Sequence, residues 1–192
     1  TFNSDITNNG IELVGTSITA ELKNYGTFVF NGNIHGNGIY SDNSSNIIQN
    51  KGGITFKNIG KDGTGFNKLT IQNHKNIYFN STINGVGISN ATENSKNYSD
   101  IIFYGKIHNG GNGISGQYPI INTGIIKFTG EITNSGIGYS ISTDVSSNYY
   151  NSNSGFLIFD CSFTGDVHPS TVGYGVYIPY QAFGQSHLKL NN

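Results

Sequence analysis

Glycoside hydrolysis needs two carboxyl groups facing one another, ~5 to 10 Å apart, so the 11 acidic residues of this 192-residue chain are the first place to look for chemistry. Asp62, Glu93, Asp100, Glu131, Asp160 and Asp166 mostly occupy different positions of the repeat set out below, and no two share a position in neighbouring units. Asp160 and Asp166 are close enough in sequence to converge, but solvated turns are the plainer assignment for each. The chain contains no arginine, which removes lyases that use it as a base. His35 and His108 share one repeat position, yet they lie three units apart, roughly 14 Å at ordinary strand spacing and too far for a common metal. His74, His168 and His187 show no ligand spacing. Gly60-Lys61-Asp62-Gly63 loosely resembles a calcium turn but is not repeated. No Ser, His and Asp form a recognisable nucleophile motif, and the glycine clusters do not open helices as a phosphate cradle requires. The expectation is a chain with no catalytic residues, no metal and no cofactor. Cys161 stands where other units carry Gly32, Gly105, Gly130 or Ser81, a place for a small buried side chain rather than a reactive thiol.

The elements that would have to position any site are set by a repeat. Copies of an apolar-x-Phe-x-Gly-x-Ile motif are anchored on Phe30, Phe56, Phe79, Phe103, Phe128 and Phe159, at steps of 26, 23, 24, 25 and 31 residues. Such a period signals stacked units rather than an ordinary globular core. Each anchor alternates with an apolar partner two residues earlier (Phe28, Ile54, Ile77, Ile101, Ile126, Leu157), the period of a strand with one face buried. A second apolar site follows (Ile34, Ile59, Ile83, Ile107, Ile132, Phe163), then a glycine-apolar pair such as Gly38-Ile39, Gly65-Phe66, Gly87-Ile88 or Gly113-Ile114. Each unit therefore holds two or three short strands, and the intervening Gly and Asn are read as turn residues able to take φ > 0.

A right-handed parallel β-helix of about six coils of ~25 residues meets this pattern, with coils ~4.8 Å apart in a rod roughly 29 Å long. A β-sandwich also produces many short strands, but it does not enforce one three-site pattern at a near-constant step. The anchors are expected to lie over one another as a single column. Residues 1–192 read as one β-helix domain, expected to be a segment of a longer chain. The break in pitch at 140–155 reads as an inserted loop, and 173–192 as a C-terminal cap or a binding site.

Composition narrows the partners. A net charge of −1 supplies no field for nucleic acid or anionic lipid, and no apolar stretch approaches the ~20 residues of a membrane span. The abundance of Asn, Ile, Lys and Tyr, with no Arg or Trp, is that of an AT-rich genome. Binding residues are sought on the outward row between each apolar pair, Val29, Thr55, Tyr78, Ile102, Lys127 and Ile158, where Tyr78 and Ile102 contribute to a partly apolar stripe. A second group comprises Tyr149 and Tyr150 on the inserted loop and Tyr174, Tyr177 and Tyr180 beyond it.

The motif Phe30 to Tyr40 (FNGNIHGNGIY) resembles the repetitive passenger regions of bacterial autotransporters and related surface adhesins. It is similar in particular to the Phe-x-x-Asn and Gly-Gly-Ala-Ile repeats of polymorphic outer-membrane proteins, with Phe30 to Asn33 as the first element and Gly-x-Gly-Ile in place of the second. The resemblance implies a non-enzymatic, exported, extracellular or cell-surface segment that acts as an adhesin or receptor-binding stalk. Its partners would be a host-cell or neighbouring-cell surface protein or glycan, or further copies of itself through open coil ends. The alternative from another class is a carbohydrate-active β-helix enzyme, a tailspike-like glycosidase or polysaccharide lyase.

Overall fold

The computed structural model describes residues 1–15, 19–89, 91–92, 94–116, 118, 120–133, 136–141, 155–164, 174–177 and 187–190. The chain is all-β, with no helix among the described residues, and winds as a parallel β-solenoid. Three sheets form its faces. The phenylalanine sheet stacks β3 (Thr27–Ile34), β6 (Gly53–Ile59), β9 (Ile77–Phe79), β12 (Asp100–Phe103), β15 (Ile125–Phe128), β18 (Phe156–Phe159) and β21 (His187–Leu190). The glycine sheet stacks β1 (Asn9–Leu13), β4 (Asn37–Ser41), β7 (Thr64–Asn67), β10 (Val86–Ser89), β13 (Asn112–Gly116), β17 (Ile137–Ile141) and β20 (Tyr174–Tyr177). The asparagine sheet stacks β2 (Glu21–Asn24), β5 (Ile47–Asn50), β8 (Thr70–Asn73), β11 (Lys96–Asn97) and β14 (Ile121–Asn122). A short ladder at the corner after the phenylalanine sheet runs through Ile6, Ile34, Ile59, Ile83, Ile107 and Ile132, and ends in β16 (Ile132–Thr133) paired with β19 (Phe163–Thr164). Strands β20 and β21 continue their sheets in parallel, with Tyr174 opposite Ile137 and Leu190 opposite Phe159.

The anchors form one column, as the repeat predicts. Phe30, Phe56, Phe79, Phe103, Phe128 and Phe159 are all buried and stack with ring centroids 4.8, 5.1, 4.5, 4.5 and 4.8 Å apart, nearly parallel. Phe2, 4.7 Å from Phe30, extends the stack. Near-parallel planes at these separations are the offset stacking that aromatic quadrupoles favour. The strand spacing of ~4.8 Å therefore suits a ladder of identical rings. Ile39, Phe66, Ile88 and Ile114 join this core from the glycine sheet, Ile48 and Ile71 from the asparagine sheet, and Ile120 from the corner just before β14.

Many of the Gly and Asn lie at turns and bends, as their propensity suggests, but few of them are there for a positive φ. Among the described residues only Lys68, Asn109 and Gly110 have positive φ. Glycine is needed instead where the coils come too close for a side chain. A Cβ on Gly38 would lie 2.6 Å from the Phe56 ring, and one on Gly87 would lie 2.5 Å from the Gly113 carbonyl and 2.8 Å from the Phe103 ring. Each stacked ring occupies the space beside a glycine of the preceding coil, which is why Gly precedes the apolar residue in each pair.

Asparagine builds a second internal column. Asn24, Asn50, Asn73, Asn97 and Asn122 are buried at the end of the asparagine sheet, and each Nδ2 donates to the Oδ1 of the next at 2.8, 2.8, 2.7 and 2.8 Å. The same amides donate upward to backbone carbonyls of Gly53, Asn76, Asp100 and Ile125, at 3.1 to 3.3 Å. The ladder satisfies these buried polar groups, and among the described residues no buried side-chain nitrogen or oxygen lacks a partner.

Candidate functional site

Period-two alternation that buries Phe30 and its successors turns the intervening residues outward, and parallel register then places them side by side. Val29 lies opposite Thr55, Thr55 opposite Tyr78, Tyr78 opposite Ile102, Ile102 opposite Lys127 and Lys127 opposite Ile158, so the outward row expected from the repeat is a real row on the phenylalanine sheet. All six side chains are half-buried by their neighbours.

Tyr78 and Ile102 sit at the centre of this face, with two flanking rows that the repeat analysis did not single out. On one side the residue after each anchor carries Tyr104, whose ring packs edge-on against Tyr78 with centroids 5.6 Å apart. On the other, Ile125 lies between Asp100 and Phe156 in register. Tyr104 is 49 % exposed and Phe156 47 % exposed, so they protrude further than the central row. Both could have been found by counting one residue past the anchor and three before it, positions the internal pattern leaves unconstrained.

The polar groups of this face hold its aromatic residues in place. The Asn76 side-chain amide donates to the Tyr78 hydroxyl. Burial pushes the Tyr78 phenol up from its ordinary value, with Tyr104 and Asp100 adding to the effect, so it remains a neutral hydrogen-bonding group. Lys127 bridges to Asp160 at 2.8 Å, and Lys106 to Glu131 at 2.8 Å. Two of the carboxylates considered for hydrolysis are thus engaged by lysines, at different repeat positions. Asp62 lies in the tight turn where the Gly63 amide donates to the Gly60 carbonyl at 3.0 Å. His35 and His108 occupy one column three coils apart, separated by Gly60 and Asn84. Among the described residues no three His, Cys, Asp or Glu side chains could jointly hold a metal.

Cys161 is half-buried at the edge of the core, and burial, with a smaller contribution from Asp160, pushes its thiol up to about 11. At neutral pH it is a protonated, weakly nucleophilic group.

Tyr149, Tyr150 and Tyr180, and with them most of the inserted segment, lie outside the described residues, as do His168 and Asp166. Tyr174 and Tyr177 are the first and last residues of β20, opposite Ile137 and Ser140. They therefore belong to the glycine sheet, whereas Tyr78 and Ile102 lie on the phenylalanine sheet.

The fold and this face define the chain as a parallel β-solenoid with an aromatic outer face. Comparison with protein-family models, with curated proteins and with solved structures finds no match for it.

Proposed function

We propose that the chain is a non-enzymatic segment of an exported bacterial surface protein, a rigid stalk whose phenylalanine sheet carries an adhesive or receptor-binding face. The observation that carries this reading is the set of outward side chains on the phenylalanine sheet, the exposed Tyr104 and Phe156 with the half-buried Tyr78, Ile102 and Ile125, on a sheet held in register from beneath by a continuous ring stack. Apolar and aromatic side chains gathered on one outer face favour contact sites, and tyrosines give large contact area at low entropic cost. A stalk does not have to move to bind, so its face is preorganised and little affinity is lost to ordering. The partner would be a protein or glycan of a host or neighbouring cell. The engagement of Glu131 and Asp160 by lysines supports display over hydrolysis.

The test is adhesion of the fluorescently labelled chain to cultured animal cells and to bacterial cells, with Tyr78→Ser/Tyr104→Ser as the comparison. Saturable binding to one of them, lost in the double variant while the melting temperature is retained, is the expected result. Equal binding by both proteins, or binding to neither surface, overturns the reading.

A further inference from the structure

The corners leading into the asparagine sheet differ sharply in length. Residues 42–46 join β4 to β5, 90–95 join β10 to β11, and 117–120 join β13 to β14, but only Lys68 and Leu69 join β7 to β8. The same economy makes the step from Phe56 to Phe79 the shortest in the chain. A two-residue corner between longer ones leaves a notch, and the structure has a groove of about 790 Å³ there, over the outer face of the asparagine sheet. That volume falls within the ~300 to 1,000 Å³ typical of small-ligand sites.

The lining has a definite chemistry. Lys68 lies at the short corner, and Gln72 and Lys96 are paired in register on adjacent coils of the floor. Hydroxyls come from Ser44, Thr92 and Tyr118. Thr70 ties the flanking turns together: its hydroxyl donates to the Ser44 carbonyl at 3.2 Å and shares a 2.6 Å hydrogen bond with the Thr92 hydroxyl. Among the described residues Lys68 and Lys96 are the charged side chains of the groove. The ion pairs found among those residues use Lys23, Lys106 and Lys127 instead. Lys68 also has φ of 58°, a left-handed conformation in which Gly or Asn would be cheaper. A long cationic side chain on such a backbone is an outlier of the kind that clusters at binding sites.

The geometry points to a binding site for an acidic oligosaccharide, its carboxylates held by Lys68 and Lys96 and its hydroxyls by the Gln, Thr and Tyr groups between them. A wholly apolar ligand would need walls that are hydrophobic throughout, whereas here Ile47, Ala91 and the Tyr118 ring are interspersed with Ser, Thr, Gln, Asn and Lys side chains. Two separated ammonium groups among hydroxyls and amides match a ligand that carries spaced single charges on a heavily hydroxylated frame. This site is on a different sheet from the proposed adhesive face, so either can hold without the other.

Calorimetric titration with trigalacturonate, maltotriose and a heparin-derived tetrasaccharide tests it. Trigalacturonate is expected to bind saturably and maltotriose not to bind, with affinity weakened when salt is raised because the contacts are ionic. Lys68→Asn and Lys96→Gln should each weaken trigalacturonate binding by about tenfold or more, the scale of one lost charge-assisted hydrogen bond. Lys68→Asn should at the same time leave the melting temperature unchanged or raised, since Asn tolerates the left-handed backbone, and Lys68→Arg should retain binding. Preference for the sulfated tetrasaccharide, with the same dependence on both lysines, would keep the site and reassign the anion from carboxylate to sulfate. Equal binding of maltotriose and trigalacturonate, no binding of either anionic sugar, or affinity unchanged in both lysine variants would overturn it.

Discussion

The inside and the outside of the phenylalanine sheet are built by the same strands in the same register, yet they obey opposite rules. Inward, phenylalanine repeats coil after coil from Phe30 to Phe159, while outward the residues one step away read Val29, Thr55, Tyr78, Ile102, Lys127 and Ile158. An inner position is fixed by its neighbours above and below, because a missing ring leaves a cavity between two others and a bulkier residue meets backbone. An outer position meets solvent on one side, and substitutions there usually change stability by less than about 0.5 kcal/mol. Uniformity thus marks the residues that hold the solenoid together, and variation marks the places free to acquire a function.

Phe79→Ala should break this comparison most visibly, costing about 3 to 5 kcal/mol in chemical denaturation, whereas its neighbour Tyr78→Ala costs less than about 1 kcal/mol. If the two variants proved equally destabilised, the distinction between inner and outer rows would fail.

Gly87→Ala places a methyl 2.5 Å from the Gly113 carbonyl, and overpacking of this kind costs about 1 to 3 kcal/mol. At Gly26, where a Cβ would meet nothing within 4 Å, the same substitution should be neutral or stabilise by about 0.4 to 1 kcal/mol through the unfolded state. Thermal melts of the two variants separate glycine used for space from glycine that is incidental.

The asparagine ladder sharpens the contrast from the polar side. Asn73→Ala removes the acceptor for Asn50 and the donor to Asn97, and leaving buried partners unsatisfied costs about 1 to 3 kcal/mol. Asn80→Ala, at an exposed position just past its anchor, should leave the urea midpoint where it was.

The smallest effect is kinetic rather than thermodynamic. With its thiol pushed up to about 11 by burial and Asp160, Cys161 should react with iodoacetamide roughly a hundredfold more slowly near neutral pH than an unhindered cysteine of ordinary pKa, because only the thiolate attacks. The sign is that of a raised acid: the rate should climb between about pH 10 and 12 instead of through the usual range near pH 8.5. A half-maximal rate near pH 8.5 would show the edge of the core to be open.

Much of this architecture is legible in the sequence because a solenoid converts spacing along the chain directly into neighbours in space. The anchors, their apolar partners two residues earlier, the second apolar site and the glycine-apolar pair each recur at nearly the same offset, so these internal columns can be assigned from alternation and period. The asparagine column is less conspicuous. Asn24, Asn50, Asn73, Asn97 and Asn122 also recur, as in the Gln-Asn ends of Ile47 to Asn50 and Thr70 to Asn73, but asparagine is common throughout the chain and its usual place is a turn. Only its burial distinguishes a ladder from a loop. On the candidate face, Tyr78 and Ile102 follow from the alternation, while Tyr104 and Phe156 lie where no internal constraint repeats.

Sequence alone therefore determined the winding of the chain, since an apolar residue at a constant interval can be buried at every occurrence only if the units stack. Tertiary structure decided the roles of glycine and asparagine, because the clearance for a ring and the enclosure of an amide depend on the adjacent coil and not on the residues beside them in the chain. It also decided where the surface is notched. A corner shortened to Lys68 and Leu69 is inconspicuous along the sequence, and it becomes a groove only when longer corners are stacked on either side of it.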